Sequence, residues 1–318
     1  MSNDARWFHP HGSLARDGWS VVVDDTLPGW RHTGLRVAEL GERDAAGLEL
    51  AAGSVERQLV PLSGGGVHVE VVDADGSAHA FDLGGRDSVF DGPTDTLYLP
   101  VGASALVTGS GRIAVAEAAA TARHPLRLIG RDEAPVELRG RGQASRQVHD
   151  LGTPAVMAAQ RLIVCEVITP AGNWSSYPPH KHDEEVPGVE SQLEEIYYFE
   201  AVPTRTDSSA PTPSDGAAPF ALFSASSSSV TEIAIDERVT TGDVALLPGG
   251  YHGPAAAAPG YDLYYLNVMA GPGERAWRIT DEPAHAWVRG TWDDEAVDPR
   301  LPYPSASHPT APIEGTPQ

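Results

Sequence analysis

Two histidines one residue apart, His180 and His182, lie in the stretch Trp174–Phe199 (WSSYPPHKHDEEVPGVESQLEEIYYF) of a 318-residue chain. On a β-strand, residues i and i+2 project from the same face, so both imidazoles can converge on one point. Pro178-Pro179, immediately before them, holds the backbone extended. Thirteen residues after His182, Glu195 opens the β-rich run Glu-Ile-Tyr-Tyr-Phe. Alternation groups Glu195 with Tyr197 and Phe199, and Glu194 with Ile196 and Tyr198, so only one of the two adjacent glutamates can accompany the histidines. The aromatic continuation of its face selects Glu195. A third histidine, His252, ends Gly242-Asp-Val-Ala-Leu-Leu-Pro-Gly-Gly-Tyr-His, after a Pro-x-Gly turn suited to aiming a side chain into a barrel mouth. Three imidazoles and a carboxylate on short strands form a donor set for one divalent metal ion: Zn, Mn, Fe, Co or Ni, with zinc the first expectation. A tetrahedral ion would be saturated by these four ligands, whereas a five- or six-coordinate ion keeps positions open for water or a chelating substrate.

Short apolar runs punctuated by glycine carry these residues. From Trp30 to about Ala118 they include Leu35–Leu40, Leu48–Ala51, Val67–Val72, Thr96–Leu99 and Ala105–Val107. Strands at that spacing, with almost no helical periodicity, predict a sandwich or barrel. Asp95-Thr-Leu-Tyr-Leu-Pro-Val-Gly-Ala has a counterpart 148 residues on, in Asp243-Val-Ala-Leu-Leu-Pro-Gly-Gly-Tyr-His. One β-barrel occurring twice is therefore expected, and Ala103 near the place of His252 predicts a first copy without the metal. The fold class expected is all-β, two tandem β-barrels with little helix. Residues 1–150 would hold the first barrel and an arginine-rich connector over 120–150. Residues 151–298 would hold the metal-binding barrel with a Ser/Pro-rich surface loop at 203–219, and residues 299–318 a Pro-rich tail. His9-Pro10-His11 repeats the His-x-His spacing but lacks a following glutamate strand and third histidine, so it is set aside.

Apolar residues make up 41% of the chain, enough for buried cores. With 22 Lys and Arg against 44 Asp and Glu, the net charge of −22 argues against a nucleic acid or an anionic membrane as partner. An acidic small molecule would be repelled at long range too, so binding one requires a locally positive pocket. No apolar run approaches the roughly 20 residues of a bilayer span, and the start MSNDARWFHPHGS has no secretory pattern. The single cysteine, Cys165, sits among Ile163, Val164 and Val167 as a buried thiol, which fits a reducing compartment. A cytoplasmic protein is expected.

The arrangement resembles the cupin superfamily, whose motifs are Gly-x5-His-x-His-x3–4-Glu and Gly-x5-Pro-x-Gly-x2-His. This chain departs from them by the insertion Asp183–Glu194 before Glu195 and by one residue fewer between Gly250 and His252. The blocks SSYPPHKHD, LEEIYYF, GDVALLPGGYH, APGYDLYYLNVMAGPGERAW and DEPAHAWVR, with GWRHTGLRVAEL, PLSGG and GRDSVFDGPTDTLYLP before them, are similar to the 5-deoxy-glucuronate isomerase family of bacterial inositol catabolism. That resemblance implies a bicupin with the metal on His180, His182, Glu195 and His252, and an assembly of several copies of the chain. The implied reaction is an aldose–ketose isomerisation of a small sugar acid, with Glu195, Tyr251, Asp262 or Tyr265 as candidate proton carriers. The substrate carboxylate then wants a guanidinium, for which Arg161 and Arg275 are the candidates. Lys181 points away from its histidine neighbours, and His285 is read as a packing or subunit-contact residue. Two alternatives use the same barrel: a metal-dependent oxygenase and a non-catalytic sugar-acid-binding cupin.

Overall fold

The computed structural model describes residues 6–41, 47–204 and 217–303. Most of the Ser/Pro-rich loop and of the Pro-rich tail therefore lies outside the described residues. The chain is all-β, and its helical segments among the described residues are the 3-10 turns Val89–Asp91, Gly142–Ala144 and Ala286–Asp294. No described helix is long and apolar enough to cross a membrane.

Strands from the first half form one eight-stranded sheet, in the order Val21–Val23, Thr33–Leu40, Ser104–Ala119, Val55–Val72, Thr96–Leu99, Arg127–Ile129. Leu48–Leu50 and Ala78–Arg86 pair on the two long central strands. The ladder between those strands shifts register around Pro61, Ser63 and Gly66. There Gly64 (φ 105°) and Gly111 (φ 102°) lie so close that an added Cβ would sit 2.4 Å and 2.0 Å from a facing carbonyl oxygen. Only glycine permits that bend, which lets 18- and 16-residue strands wrap around the core of Leu59, Val69, Leu97, Val107, Ile113 and Val115.

The second half folds as two antiparallel sheets. One runs Phe8–His9, Val244–Leu247, Glu194–Pro203, Tyr261–Ala270, Ile163–Thr169, Arg146–Asp150, Val136–Arg139. The other runs Ala234–Val239, Ala221–Ser226, Tyr251–Ala257, His180–Lys181, Thr280–Asp281, with Trp174–Ser175 beside Tyr251–Ala257. The sheets pack face to face through aromatic side chains, with Phe223 of the second 4.9 Å from Tyr197 and 5.3 Å from Phe199 of the first. Residues 120–150, expected to be a connector, instead supply three strands. Two of them extend the first sheet of the second half and turn the arginines Arg139 and Arg146 toward its interior.

The sequence self-similarity has a structural counterpart. Thr96–Leu99 and Val244–Leu247 are both four-residue, fully buried strands. Each is preceded by an aspartate that accepts backbone N–H bonds: Asp95 from Gly84 and Arg131, Asp243 from Thr240 and His11.

Buried polar contacts join the halves. Arg86 donates to both oxygens of Glu166 at 2.7 Å, and the same carboxylate meets His149 Nδ1 at 2.7 Å and the Tyr264 hydroxyl at 2.9 Å. Glu56 accepts from the backbone N–H groups of Gln160, Arg161 and Leu162. Burial alone would raise the Glu166 pKa, but Arg86 and then His149 outweigh it and hold the carboxyl at about 2. That depression stabilises the fold at pH values above an ordinary carboxyl's 4.5, and the gain is lost as pH falls toward 2. Arg86→Met, which leaves the charge buried without its partner, is expected to destabilise the protein by roughly 3–5 kcal/mol, read from the chemical-denaturation midpoint. Glu166→Gln should flatten the acid limb of the stability profile below pH 4.5.

Candidate active site

His180 lies directly opposite His252 across an antiparallel pair, while Glu195 faces them from the other sheet. The ring centroids of His252 stand 4.5 Å from His180 and 4.7 Å from His182. Glu195 Oε2 is 2.9 Å from His182 Nε2 and 3.2 Å from His252 Nε2, and all four side chains are buried. The donor atoms of His182, Glu195 and His252 lie within 4.8 Å of one another, and His180 flanks them on the cavity side.

Backbone carbonyls orient the three rings. Nδ1 of His180 faces Pro178 O at 3.3 Å, that of His182 faces Leu193 O at 3.1 Å, and that of His252 faces Gly250 O at 3.2 Å. A carbonyl only accepts, so each Nδ1 carries a proton, and Nε2 is the atom left to serve as a ligand once the ring is neutral. His252 Nε2 is buried without a well-aligned hydrogen bond. An orphaned acceptor costs free energy in a protein interior and is relieved by a cation. The residues thus fit a divalent metal. Burial first, then the neighbouring histidines, pushes the His180 pKa well below 6.5, so that ring is neutral as a ligand must be. For Glu195 burial is outweighed by the His182 and His252 contacts, which hold it at about 2.

A second acidic group, Asp183, Glu184 and Glu190, is already filled. Lys181, turned away from its histidine neighbours, places Nζ 2.7, 2.7 and 2.8 Å from the three carboxylates.

A cavity of about 300 Å³ opens on the histidines, lined by His180, Glu195, Tyr197, Tyr265, Ser176 and Asn267 and by the guanidinium groups of Arg139, Arg146 and Arg289. Glu195 is the one carboxylate among its described lining residues. Ser176 has a left-handed φ of 48°, a strained conformation for a non-glycine residue. Its Oγ sits 3.1 Å from both the Tyr197 and Tyr265 hydroxyls. Burial raises the pKa of both phenols, that of Tyr265 to about 12, so they are neutral hydrogen-bond donors.

The candidates chosen from sequence divide sharply. His180, His182, Glu195, His252 and Tyr265 come together. Tyr251 lies on the opposite face of its strand from His252 and does not line the cavity. Asp262 is buried elsewhere, accepting from Ala171 N at 2.9 Å. Arg161 donates to the carbonyls of Gly271, Pro272 and Gly273, and Arg275 to those of Gly152, Met157 and Leu162. Both arginines thereby tie chain segments together away from the cavity, and its guanidinium groups are Arg139, Arg146 and Arg289 instead. Sequence reasoning also missed Ser176 and Asn267. The alternation that pairs Asn267 with Tyr197 could have found Asn267, once the neighbouring strand was known.

The KduI/IolB family matches residues 7–288. The chain belongs to that family. It is 39% identical over 246 residues to a 5-deoxy-glucuronate isomerase of Shouchella clausii, covering 76% of this chain and 82% of that protein. To the enzyme of the same name from Geobacillus kaustophilus it is 36% identical over 290 residues, 89% and 95% of the two chains. Among solved structures, an IolB-like protein from Salmonella typhimurium superposes with a TM-score of 0.75 at 34% identity, over 89% of this chain and 99% of that one. The oxalate decarboxylase of Lactobacillus farciminis superposes at 0.57 with 11% identity over 88% of this chain and 90% of that one, which shows a shared fold.

Ala substitution of His182 and of His252 is expected to weaken divalent-metal binding by at least roughly 10-fold each. Elemental analysis of the purified variants checks this, and full metal content in both would remove the site.

Proposed function

We propose that the chain is a 5-deoxy-glucuronate isomerase, converting 5-deoxy-D-glucuronate to 5-dehydro-2-deoxy-D-gluconate in the cytoplasmic catabolism of myo-inositol. One observation carries the proposal: His182 and His252 place Nε2 2.9 Å and 3.2 Å from one buried carboxylate, Glu195, with the His180 ring beside them at the edge of a monosaccharide-sized cavity. It is supported by relatives of that name that match most of the chain. His180, His182, Glu195 and His252 would hold one divalent ion, with zinc the first expectation. Bound there, the ion supplies a Lewis acid that polarises a carbonyl oxygen and stabilises developing negative charge.

Moving the carbonyl from C1 to C2 requires removal of the proton on C2, its delivery to C1, and transfer of a proton from O2 to O1. Glu195 is the only carboxylate lining the cavity among the described residues, and both histidine contacts fall on Oε2. Its other oxygen is the candidate to carry the proton between the carbons. Tyr265, Ser176 and Tyr197 form a hydroxyl row that donates to substrate oxygens, and Tyr265 is placed to hold a proton at the oxygen where negative charge collects. The reaction needs no second substrate and no net redox change. The chain is further proposed to work as a homo-oligomer.

Proton NMR of the purified protein with 5-deoxy-glucuronate, in deuterated water without oxygen, tests the proposal. Loss of the aldehyde and hydrate signals with a ketose appearing is the expected result, with deuterium at C1 marking an enediol route. No turnover by metal-loaded protein would overturn it. Tyr265→Phe is expected to lower kcat by roughly 10²-fold while metal content stays unchanged.

A further inference from the structure

Three arginines line the cavity, and they are not equivalent. Arg289 is neutralised by Asp281, with Nη2 donating to Oδ1 at 2.6 Å and Nε to Oδ2. Arg139 is paired with Glu137 at 2.7 Å, lies 3.7 Å from Asp150, and stacks on Trp277 at 4.7 Å. Arg146 has no carboxylate partner among the described residues; its one described hydrogen bond is from Nη1 to the Ala144 carbonyl at 3.1 Å. Space for that guanidinium is reserved by Gly140 (φ 72°), where a Cβ would fall 2.6 Å from Nη1. Arg146 is partly exposed and lines the cavity, with its guanidinium 5.9 Å from the Trp292 ring centre. Burial above all, with repulsion from Arg139 and Arg289, pulls its pKa down to about 10, so the positive charge is held there at a cost. A second group in the same cavity is also unpaired. Asn267 is buried, lines the cavity, and its Nδ2 has no hydrogen-bond partner.

We propose that Arg146 is the receptor for the carboxylate of the sugar-acid substrate and selects acids over neutral sugars, with Asn267, on another strand lining the same cavity, offering its amide to a substrate oxygen. The assignment rests on the isomerase reading for the identity of the substrate, but its geometry stands apart from the chemistry at the histidines. A guanidinium offers two parallel donors that match a carboxylate, and an uncompensated buried cation gains most from an anionic partner. The Asn267 amide can donate only to an acceptor, which a carboxylate or hydroxyl oxygen supplies. The site also resolves a problem set by the net charge of −22. An anion repelled by the protein as a whole is captured where three guanidinium groups line one cavity and, among the described residues, only two of them have carboxylate partners. Arg161 and Arg275 are tied to backbone carbonyls of other segments and do not line this cavity.

The test compares full-length wild type with Arg146→Gln on 5-deoxy-glucuronate and on 5-deoxy-glucose, in which a hydroxymethyl group replaces the carboxylate. The expected result is a fall in kcat/KM for the acid of roughly 10²-fold or more, mainly in KM, with the neutral sugar changed by less than about 3-fold. Equal losses on both substrates, or no loss on the acid, would overturn the proposal. Should Arg146→Gln fail to fold, Arg146→Lys answers the same question. An acid-specific loss of about 10-fold supports the proposal, and an unchanged acid-to-neutral ratio overturns it. Calorimetric titration with 5-deoxy-glucuronate separates this inference from the reaction. Binding that depends on Arg146 without turnover would sink the isomerase reading and keep the receptor. Turnover and binding indifferent to Arg146 would do the reverse.

Discussion

The two-residue period of one strand governs both the joining of the halves and the composition of the site. At Glu194 and Glu195 the chain carries two adjacent carboxylates, and the pleat sends them in opposite directions. Glu194 turns toward the first half and accepts the backbone N–H groups of Arg31, at 3.2 Å, and His32, at 2.6 Å. Glu195 turns inward to His182 and His252. A register slip of one residue would exchange them, placing a charge against the histidines without its cavity and leaving the amides of the first half unpaired. The strand is held in that register on both sides, by Val244–Leu247 and by Tyr261–Ala270.

The first half therefore does more than fill space. Its sequence repeats the strand-and-turn pattern of the second, but its interior is aliphatic, and it contributes to the site by anchoring it. Four carboxylates at the junction each accept a hydrogen bond across it: Glu56, Glu166, Glu194 and Glu200. Buried charges of this kind add little net stability over a well-packed apolar contact, but they tolerate no misalignment, because an unpaired charge in the interior is expensive. The junction is thus specific in geometry. It sets where Glu166 and Glu195, on neighbouring parts of one sheet, present their side chains.

Electrostatics divides the molecule in the same way. The surface is strongly acidic, and the interior of the second half collects arginines and neutral phenols around a carboxylate-histidine cluster. Lys181 shows how local the partition is. It sits between His180 and His182 in sequence, yet alternation turns it away from them, where three carboxylates compensate it.

The residue sequence by itself determined the short-range features: an all-β chain, a repeated Asp-strand-Pro-Gly element, and three histidines and a glutamate that converge. Each of these depends on backbone periodicity or on turns a few residues long, and that information is local. Glu195 could be chosen over Glu194 because its face continues into two aromatics, Tyr197 and Phe199. Tertiary structure alone decided which arginines meet the cavity. Arg139 and Arg146 lie in a stretch so charged that it suggests a solvated connector, and become interior only because their strands join the edge of the second half's sheet. Arg161 and Arg275 flank the second half's strands in sequence, but the fold uses them to bind loop carbonyls. A guanidinium is equally suited to solvent, a backbone carbonyl or an anion, so its role is set by which groups the fold brings to it across more than a hundred residues.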